Sequence, residues 1–432
     1  MRTAKALIPL VVFAAALTLF ATLNGRPATP TDPARRQAVV VRPGAPTDER
    51  IAALRANVRR GAGRPGLLAE LGNAYLQKAR ENGDPTNYTR ADRVFAQALK
   101  RNPEDVDAIL GLGTLELARH HFREGLVQAR RAVALAPEAA GPLPTLVDAL
   151  VELGRYDEAN TTLQRLLDRK PGQPAYARAS YVRELRGDLK GAATAMRLAV
   201  DAGSATPEGA ASVQTLLGNL ERSRGRLGPS ARAYRAALRA QPGYPGAQAG
   251  LAGIEAARGR LGPAIARLRA VEERQPSPER AVLLGEMELA AGRPRPARAA
   301  LDSALAQRRE LVDNGENTDT ESAAFQADHG DPAAGVRLGR RAWAAAPSVR
   351  SADALGWALA RAGRPREGYA WARRALRFGW RDPLPLYHAG MSAKAAGEHR
   401  DARRLLGRLL AQSPEFSPLY APRARRALKA LR

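Results

Sequence analysis

The chain is 432 residues long, 45% hydrophobic, 26% charged and 5% aromatic, and it contains no cysteine. This is foldable material rather than a disordered polyelectrolyte, and the missing thiol excludes disulfides, thiolate nucleophiles, thiolate zinc sites and cysteine lipidation. Lys plus Arg number 68 against 43 Asp plus Glu, a formal +25 that makes polyanions candidate neighbours, yet the charge is spread along the chain as on a solvated helical surface.

At the amino terminus, Arg2 and Lys5 precede a stretch from Ala6 to Gly25 without a charged residue. As a helix it would span roughly 30 Å, enough for a bilayer core. A cleaved secretory signal starts the same way, but the cut sites at Ala21 or Gly25 would leave leucine at the minus-three place, where a small residue belongs. Residues 1–25 are therefore expected to be a signal anchor, with a signal peptide as the alternative. The short leading segment predicts a single-pass topology that keeps it in the cytoplasm and the rest outside the cell membrane; cleavage would give a secreted chain instead. Residues 26–50 are rich in proline and read as a semi-extended stalk.

From there the sequence repeats. Glycines that open the short form Gly-x-hydrophobic-or-Pro-x-x-small fall at Gly154, Gly187, Gly225, Gly259, Gly292, Gly330, Gly363 and Gly397, with separations of 33, 38, 34, 33, 38, 33 and 34. Each ends an Ala/Leu-rich helical stretch and precedes another, so a left-handed or tight turn between antiparallel helices is predicted there. Proline closes the second helix at Pro103, Pro137, Pro171, Pro242, Pro276, Pro347 and Pro414, because it cannot continue the hydrogen-bond ladder. Every unit reads as a helical hairpin.

Leu71, Gly72, Tyr75, Ala91, Phe95, Ala98 and Pro103, then Leu112, Gly113, Ala129, Ala132 and Pro137, then Leu217, Gly218, Tyr234, Ala237 and Pro242 resemble the tetratricopeptide repeat family, a 34-residue helix–turn–helix with Leu-Gly and Tyr in the first helix, Ala-x-x-x-Phe in the second and a closing Pro. The resemblance implies an all-α, right-handed superhelical solenoid of about ten helix–turn–helix repeats. The array is assigned to residues 51–414, with a basic capping helix at 415–432 carrying Arg423, Arg425, Arg426 and Lys429. Three places depart from the pattern. The first unit has about seven extra residues around ARENGDPTNYT, the fourth lacks its proline, and RRELVDNGENTDTE reads as a long acidic loop after the seventh. In that loop Thr318 and Glu321 read as a capping box. Asp313, Glu316, Asp319 and Glu321 lack the alternating spacing of a calcium loop.

In this family the first helices line a concave groove, and the place after Leu-Gly and those four or five further on point into it. Carried onto this chain, the resemblance gives Asn73, Thr114, Asp148, Tyr181, Asn219, Arg222, Glu286, Trp357, Arg361, Met391 and Lys394 as partner-binding positions. Only Asn73 matches the Lys/Asn carboxylate clamp of the chaperone-binding members; Asp107 and Gly111 stand where other clamp residues belong. All four tryptophans, Trp343, Trp357, Trp371 and Trp380, lie in one 38-residue window, where they serve either as gap-fillers between helices or, in the case of Trp357, as a groove anchor.

The repeats leave no room for a catalytic domain, and neither HExxH, GxSxG nor a GKS/GKT phosphate loop occurs. No enzyme, metal or cofactor is expected. RNA reading by helical repeats needs the same residue type recurring at one place, and the inward positions show no such recurrence. The sequence thus predicts a protein- or peptide-binding scaffold at the cell envelope. The alternative is a basic repeat protein binding an acidic polymer: nucleic acid, an envelope polyanion, an anionic membrane surface or an acidic protein segment.

Overall fold

A computed structural model describes residues 45–61 and 65–431 of the chain. The expected membrane segment at 6–25 lies outside the described residues, as do residues 26–44. No helix among the described residues is long and apolar enough to cross a membrane.

The described residues form twenty-two α-helices and no strand. A single helix, α1 (Thr47–Arg59), comes first and takes in the end of the stretch expected as stalk. Five hairpins follow: α2 (Leu67–Asn82) with α3 (Thr86–Arg101), α4 (Val106–Ala118) with α5 (Phe122–Leu135), α6 (Leu143–Glu152) with α7 (Tyr156–Arg169), α8 (Gln173–Leu185) with α9 (Leu189–Asp201), and α10 (Pro207–Ser223) with α11 (Leu227–Ala240). Five more complete the array: α12 (Pro245–Ala257) with α13 (Leu261–Glu272), α14 (Pro278–Ala290) with α15 (Pro294–Asp313), α16 (Asp319–His329) with α17 (Pro332–Ala345), α18 (Val349–Arg361) with α19 (Pro365–Ala375), and α20 (Pro383–Ala395) with α21 (His399–Gln412). The last helix is α22 (Tyr420–Lys429). These consecutive packed pairs make an all-helical solenoid.

The two helices of a hairpin differ in how they are buried. In α18 the run Ala352–Leu359 is buried on every side, whereas α19 buries only Gly368, Tyr369, Ala372 and Ala375. The difference follows from position. Successive first helices pack on one another across unit boundaries as well as on their partners, so they form an inner layer, and second helices form an outer layer with one apolar stripe. Units interlock through size contrast: Phe95 of α3 is fully buried and sits between Gly72 of its own unit and Gly111 of the next, where a Cβ on either glycine would run into the ring. The family signature therefore has a packing cause, a large ring in the second helix opposite a missing side chain in two first helices.

Several local expectations need correction. RRELVDNGENTDTE is not a loop throughout: α15 runs on to Asp313, leaving only residues 314–318 between helices. The Thr318 side chain makes no capping bond to the α16 backbone; its hydroxyl pairs with that of Ser322, and Asn317 Oδ1 accepts from the Asp319 N–H instead. Gly330 has φ −136° and so is not left-handed, its place being taken up by Asp331, which caps α17 through the Ala333 and Ala334 N–H groups. In the second unit the equivalent turn place is His120, at φ 59°, a conformation costly for a residue with a Cβ. Where the fourth unit lacks its proline, Gly203 at φ 74° ends α9.

The turns do more than reverse the chain. The turn of each of the first five hairpins lies against the loop that follows the hairpin five units later. Gly83 meets Gln275 and Pro276, His120 meets Asn317, Gly154 meets Pro347, Gly187 meets Gly379, and Gly225 meets Gln412. Hydrogen bonds between these turns and loops join residues 189 to 198 apart. His120 Nδ1 lies 3.0 Å from the Asn317 carbonyl, the Asn317 N–H donates to the Arg119 carbonyl at 2.8 Å, and the Val349 N–H donates to the Tyr156 hydroxyl at 2.9 Å. Gln412 donates to the Ser223 carbonyl at 2.9 Å. Apolar contacts follow the same line: Ala346, Val349 and Trp380 join the core cluster of units two to five, and Phe378 packs edge-on against Tyr156 at 4.9 Å. The solenoid therefore stacks its second coil on its first.

Buried titratable groups sit along the seam. Burial drives the Glu316 carboxyl up to about 7, against the pull of His120 and Arg308 and with Glu279 and Glu321 adding to the rise. Burial and Asp382 raise Glu184 to about 8, with Arg350 opposing. For His120, burial favours the neutral ring, but Glu321, Glu316 and the Asn317 carbonyl outweigh it and raise the pKa above its ordinary value.

Two outcomes are expected. Ala at Gly259 or Gly363, whose Cβ would meet open space, costs only the left-handed penalty of about 1–2 kcal/mol. Ala at Gly187 or Gly154 adds a collision with the Gly379 or Pro347 carbonyl and should lower the denaturant midpoint further, with faster amide exchange at residues 346–349 and 378–382. The second concerns pH. Each of the three groups binds its proton more tightly folded than unfolded, so the stability it confers is complete at low pH and drains away as pH climbs through the folded pKa. The melting temperature should rise on going from about pH 8.5 to about pH 6, and Glu316→Gln should flatten that slope.

Candidate functional site

The inner layer carries polar side chains on first helices, and most are used within the protein. Arg178 on α8 is 1% exposed and grips Asp148 of α6 through two parallel bonds, Nε–Oδ1 at 2.8 Å and Nη2–Oδ2 at 2.6 Å. Burial raises the Asp148 carboxyl above its usual range, and the guanidinium offsets only part of that rise. Next along, the Tyr181 hydroxyl donates to Glu152 at 3.1 Å and accepts from Arg350 of α18 at 3.2 Å. Arg350 thus reaches across the seam into a cluster of the first coil. These pairs are charge-assisted bonds in a low dielectric, and their strength depends on every member being present.

Beyond Arg350 the concave side of units seven to ten opens into a cavity of about 120 Å³. Its floor is apolar: Val282 and Leu283 of α14, Phe325 of α16, Ala354 of α18, and Trp380 and Leu384 at the start of the tenth hairpin. Six carboxylates line it, Glu279, Glu286, Glu321, Asp328, Asp353 and Asp382, against the two arginines Arg308 and Arg350. In a chain of formal charge +25 this places negative charge inside and the surplus positive charge outside. Some carboxylates are spoken for. Glu286 takes His329 Nε2 and the Tyr420 hydroxyl, each at 2.9 Å, so Tyr420 at the start of α22 joins the cavity lining. Asp382 caps α20 through the Leu384 N–H at 3.1 Å and accepts from Ser223 across the seam at 3.2 Å.

His388 of α20 is stacked on Trp357 of α18, ring centroids 4.5 Å apart and 12° from parallel, and its Nδ1 lies 2.9 Å from Asp353 Oδ2. Burial disfavours the charged ring, but Asp353, Asp328 and Asp382 together raise its pKa above the ordinary value. The other two polar atoms of this pair, His388 Nε2 and Asp353 Oδ1, are enclosed without a hydrogen-bond partner, as is Nη1 of Arg308.

Of the positions predicted to line a groove, Glu286 is on the cavity wall. Asp148 and Tyr181 are inward but engaged as above, and Thr114 is buried. Asn219 accepts from the Tyr234 hydroxyl of its own unit at 2.7 Å. Arg222 is half-buried near the seam, its carbonyl accepting from Ser413. Trp357 is only 5% exposed, a core residue bearing on His388. Arg361 donates to the Ala327 carbonyl at 2.9 Å and lies over the Trp357 ring. Asn73, Met391 and Lys394 are half-buried, Met391 against the core of the last units. Trp343 and Trp371 pack edge-to-face at 4.8 Å on the outer layer with Arg374 over both, and Trp380 fills the seam. Among the acidic residues of the 313–321 stretch, Glu316 and Glu321 act on His120 while Asp319 binds Arg341. The pattern missed Asp353, His388, Asp328 and Tyr420. A search for complementary polar residues one repeat apart would have found Asp353 and His388, which are separated by 35.

Tetratricopeptide repeat models match residues 116–180, 215–281 and 386–415, so the chain carries tetratricopeptide repeats. No curated protein matches it. Among solved structures it is similar to the human IFIT1 dimer with PPP-AAAA, at 17% identity over 73% of each chain with a TM-score of 0.50. A tetratricopeptide repeat protein from Parabacteroides merdae is 17% identical over 56% of this chain and 97% of that one, with a TM-score of 0.40. The Cut9-Hcn1 hetero-tetramer of the APC/C is 14% identical over 90% and 67%, with a TM-score of 0.39. At these identities the first likeness bears on the fold alone.

Asp148→Ala would leave the Arg178 guanidinium buried without its carboxylate. The expected cost is about 3–5 kcal/mol, read as a lowered unfolding midpoint, with Arg178→Met in the same background recovering part of it.

Proposed function

We propose that the chain is a non-enzymatic, protein-binding scaffold of the cell envelope, tethered by residues 6–25, that captures its partner at the concave cavity of units seven to ten. Tetratricopeptide repeats generally mediate protein–protein interaction, and this supports the general reading. The observation that carries the specific one is the concave cavity of about 120 Å³ itself, with an apolar floor and six carboxylates among its lining residues. A concave, largely apolar space with a few charged groups on its wall is where a partner's group can be taken up and oriented. The uncharged run of residues 6–25 and the two cations before it support an anchor with the array outside the cytoplasm.

A second reading has support of its own. The outer layer bears the surplus arginines, and an acidic polymer, an anionic membrane surface included, would bind there by charge, its recovery falling with added salt.

The test is crosslinked pull-down from membrane fractions with three chains: the natural one, one lacking the first 25 residues, and Ala324→Phe, which places a ring into the cavity from its half-buried wall. Removal of the leader should release the array from the membrane fraction while capture persists. Ala324→Phe should abolish capture with helical circular dichroism and melting unchanged. Capture that survives the plug refutes the cavity as the site, and acidic polymer recovered at low salt alone moves the assignment to the outer layer.

A further inference from the structure

The surplus positive charge is not shared evenly by the outer layer. Helices α17, α19 and α21 carry ten arginines against two carboxylates, Glu367 and Asp401, so 39 of the 432 residues hold a net +8 out of the formal +25. Outer helix α7, by contrast, sets two arginines against three carboxylates. Both acidic residues of the basic stretch are taken up locally. Arg364 holds Glu367 at 2.6 Å, and Asp401 accepts from Arg404 and from the Tyr369 hydroxyl, each at 2.5 Å. Arg337 and Arg341 are matched in turn by Asp331 and Asp319. Among the described residues, Arg340, Arg366, Arg373, Arg374, Arg400 and Arg408 are exposed and make no hydrogen bond or ion pair within the protein.

The three helices present one continuous surface. Trp343 of α17 meets Trp371 of α19 edge to face at 4.8 Å, and the Tyr369 bond to Asp401 ties α19 to α21. The guanidinium carbon of Arg374 stands 5.1 and 4.9 Å from the centroids of Trp343 and Trp371, and that of Arg373 stands 5.5 Å from Tyr369. Stacking on a ring holds a guanidinium in place while its N–H edge stays open, and that edge matches a pair of phosphate oxygens. Trp343 and Trp371 are themselves only half-buried. Indole rings favour the headgroup zone of a bilayer, and arginines favour an anionic leaflet. A nucleic-acid strand would use the same charge, but its bases seek open aromatic faces, and here Arg374 already lies over both indoles. About twenty residues separate Gly25 from the first described residue, a length that spans at most about 70 Å, so an anchor at 6–25 would hold the array beside a bilayer.

We infer that the outer face of α17, α19 and α21 docks on an anionic phospholipid surface, with the unpaired arginines at the phosphates and Trp343 and Trp371 at the headgroup level. This rests on the second reading above and names the site and the partner within it. The cavity of units seven to ten opens on the concave side, so a docked array can still take up a partner there.

The test uses the four tryptophans, all of which lie within residues 343–380 and none in residues 1–44. The full chain is mixed with vesicles of phosphatidylglycerol or of phosphatidylcholine, each brominated on the acyl chains close to the headgroup, and the quenching of tryptophan emission is read. Bromine quenches only near contact, so insertion of residues 6–25 alone does not register. Quenching is expected in phosphatidylglycerol and not in phosphatidylcholine, and it should fall with added salt. Each basic side chain at an anionic surface is worth about fivefold in the ratio of docked to undocked face, so Arg340→Gln with Arg366→Gln should lower that ratio about 25-fold, with melting unchanged. Arg400→Gln with Arg408→Gln is the second variant and should do the same from α21. Equal quenching in the two lipids, no quenching in either, or quenching indifferent to both variants overturns the inference. If heparin retains the natural chain while phosphatidylglycerol leaves the tryptophans unquenched, the outer layer still binds acidic polymer and only the membrane falls as its occupant. If heparin fails as well, the second reading falls with it.

Discussion

The seam between the two coils is the constraint on which the rest of this structure depends. In an open solenoid each unit touches only its neighbours, and stability is a sum of local terms. Here five hairpin turns also rest on loops almost two hundred residues away, so the early and late units form one body. The turns can approach so closely because glycine stands at Gly154, Gly187 and Gly225, where a Cβ would collide with a carbonyl of the other coil. Glycine thus serves two needs at one position, the left-handed turn and the close approach.

Closing the coil changes what the concave side can be. Its first half is filled by bonds between side chains of adjacent units, as in the Arg178–Asp148 pair, and Tyr420 of the last helix reaches back to Glu286. What is left open is small and bounded by carboxylates. Burying so many charges is costly unless they are paired, and here Glu286 is held by His329 and Tyr420, Asp353 by His388, and Arg308 lies beside Glu279. The arginine surplus meanwhile stays on the outer layer, where water screens it. The carboxylate-lined cavity and the arginine-rich remainder of the chain therefore carry opposite charge.

The hairpins were legible because their causes are local. A glycine that needs a left-handed backbone, a proline that ends a helix, and the Gly72–Phe95–Gly111 size match all leave marks within one repeat length. The acidic stretch after the seventh unit misled because helix α15 continues through Arg308 to Asp313, its Glu and Arg being good helix formers as much as loop residues. Glu321 acts electrostatically on His120 and Arg350, while the Thr318 hydroxyl pairs with Ser322, so the expected capping box does not form. The seam left no mark at all, since nothing in the neighbourhood of Pro347 or Gln412 tells of a turn five units earlier. Inward positions were placed on the right helices, yet the family pattern does not say which of them a neighbouring unit has already engaged.

His120 illustrates what a fixed offset of five units means for the history of such a chain. Repeat arrays ordinarily lengthen or shorten by whole units, since duplication or loss of one leaves every neighbour contact in place. Adding a unit in the middle of this array would slide each turn onto the wrong loop, so that His120 faced a segment without the Asn317 carbonyl and the glycine turns met side chains cut for other partners. Growth is therefore permitted at the ends and penalised within, and relatives of this chain should differ in how many repeats flank the paired coils rather than in how many lie between them.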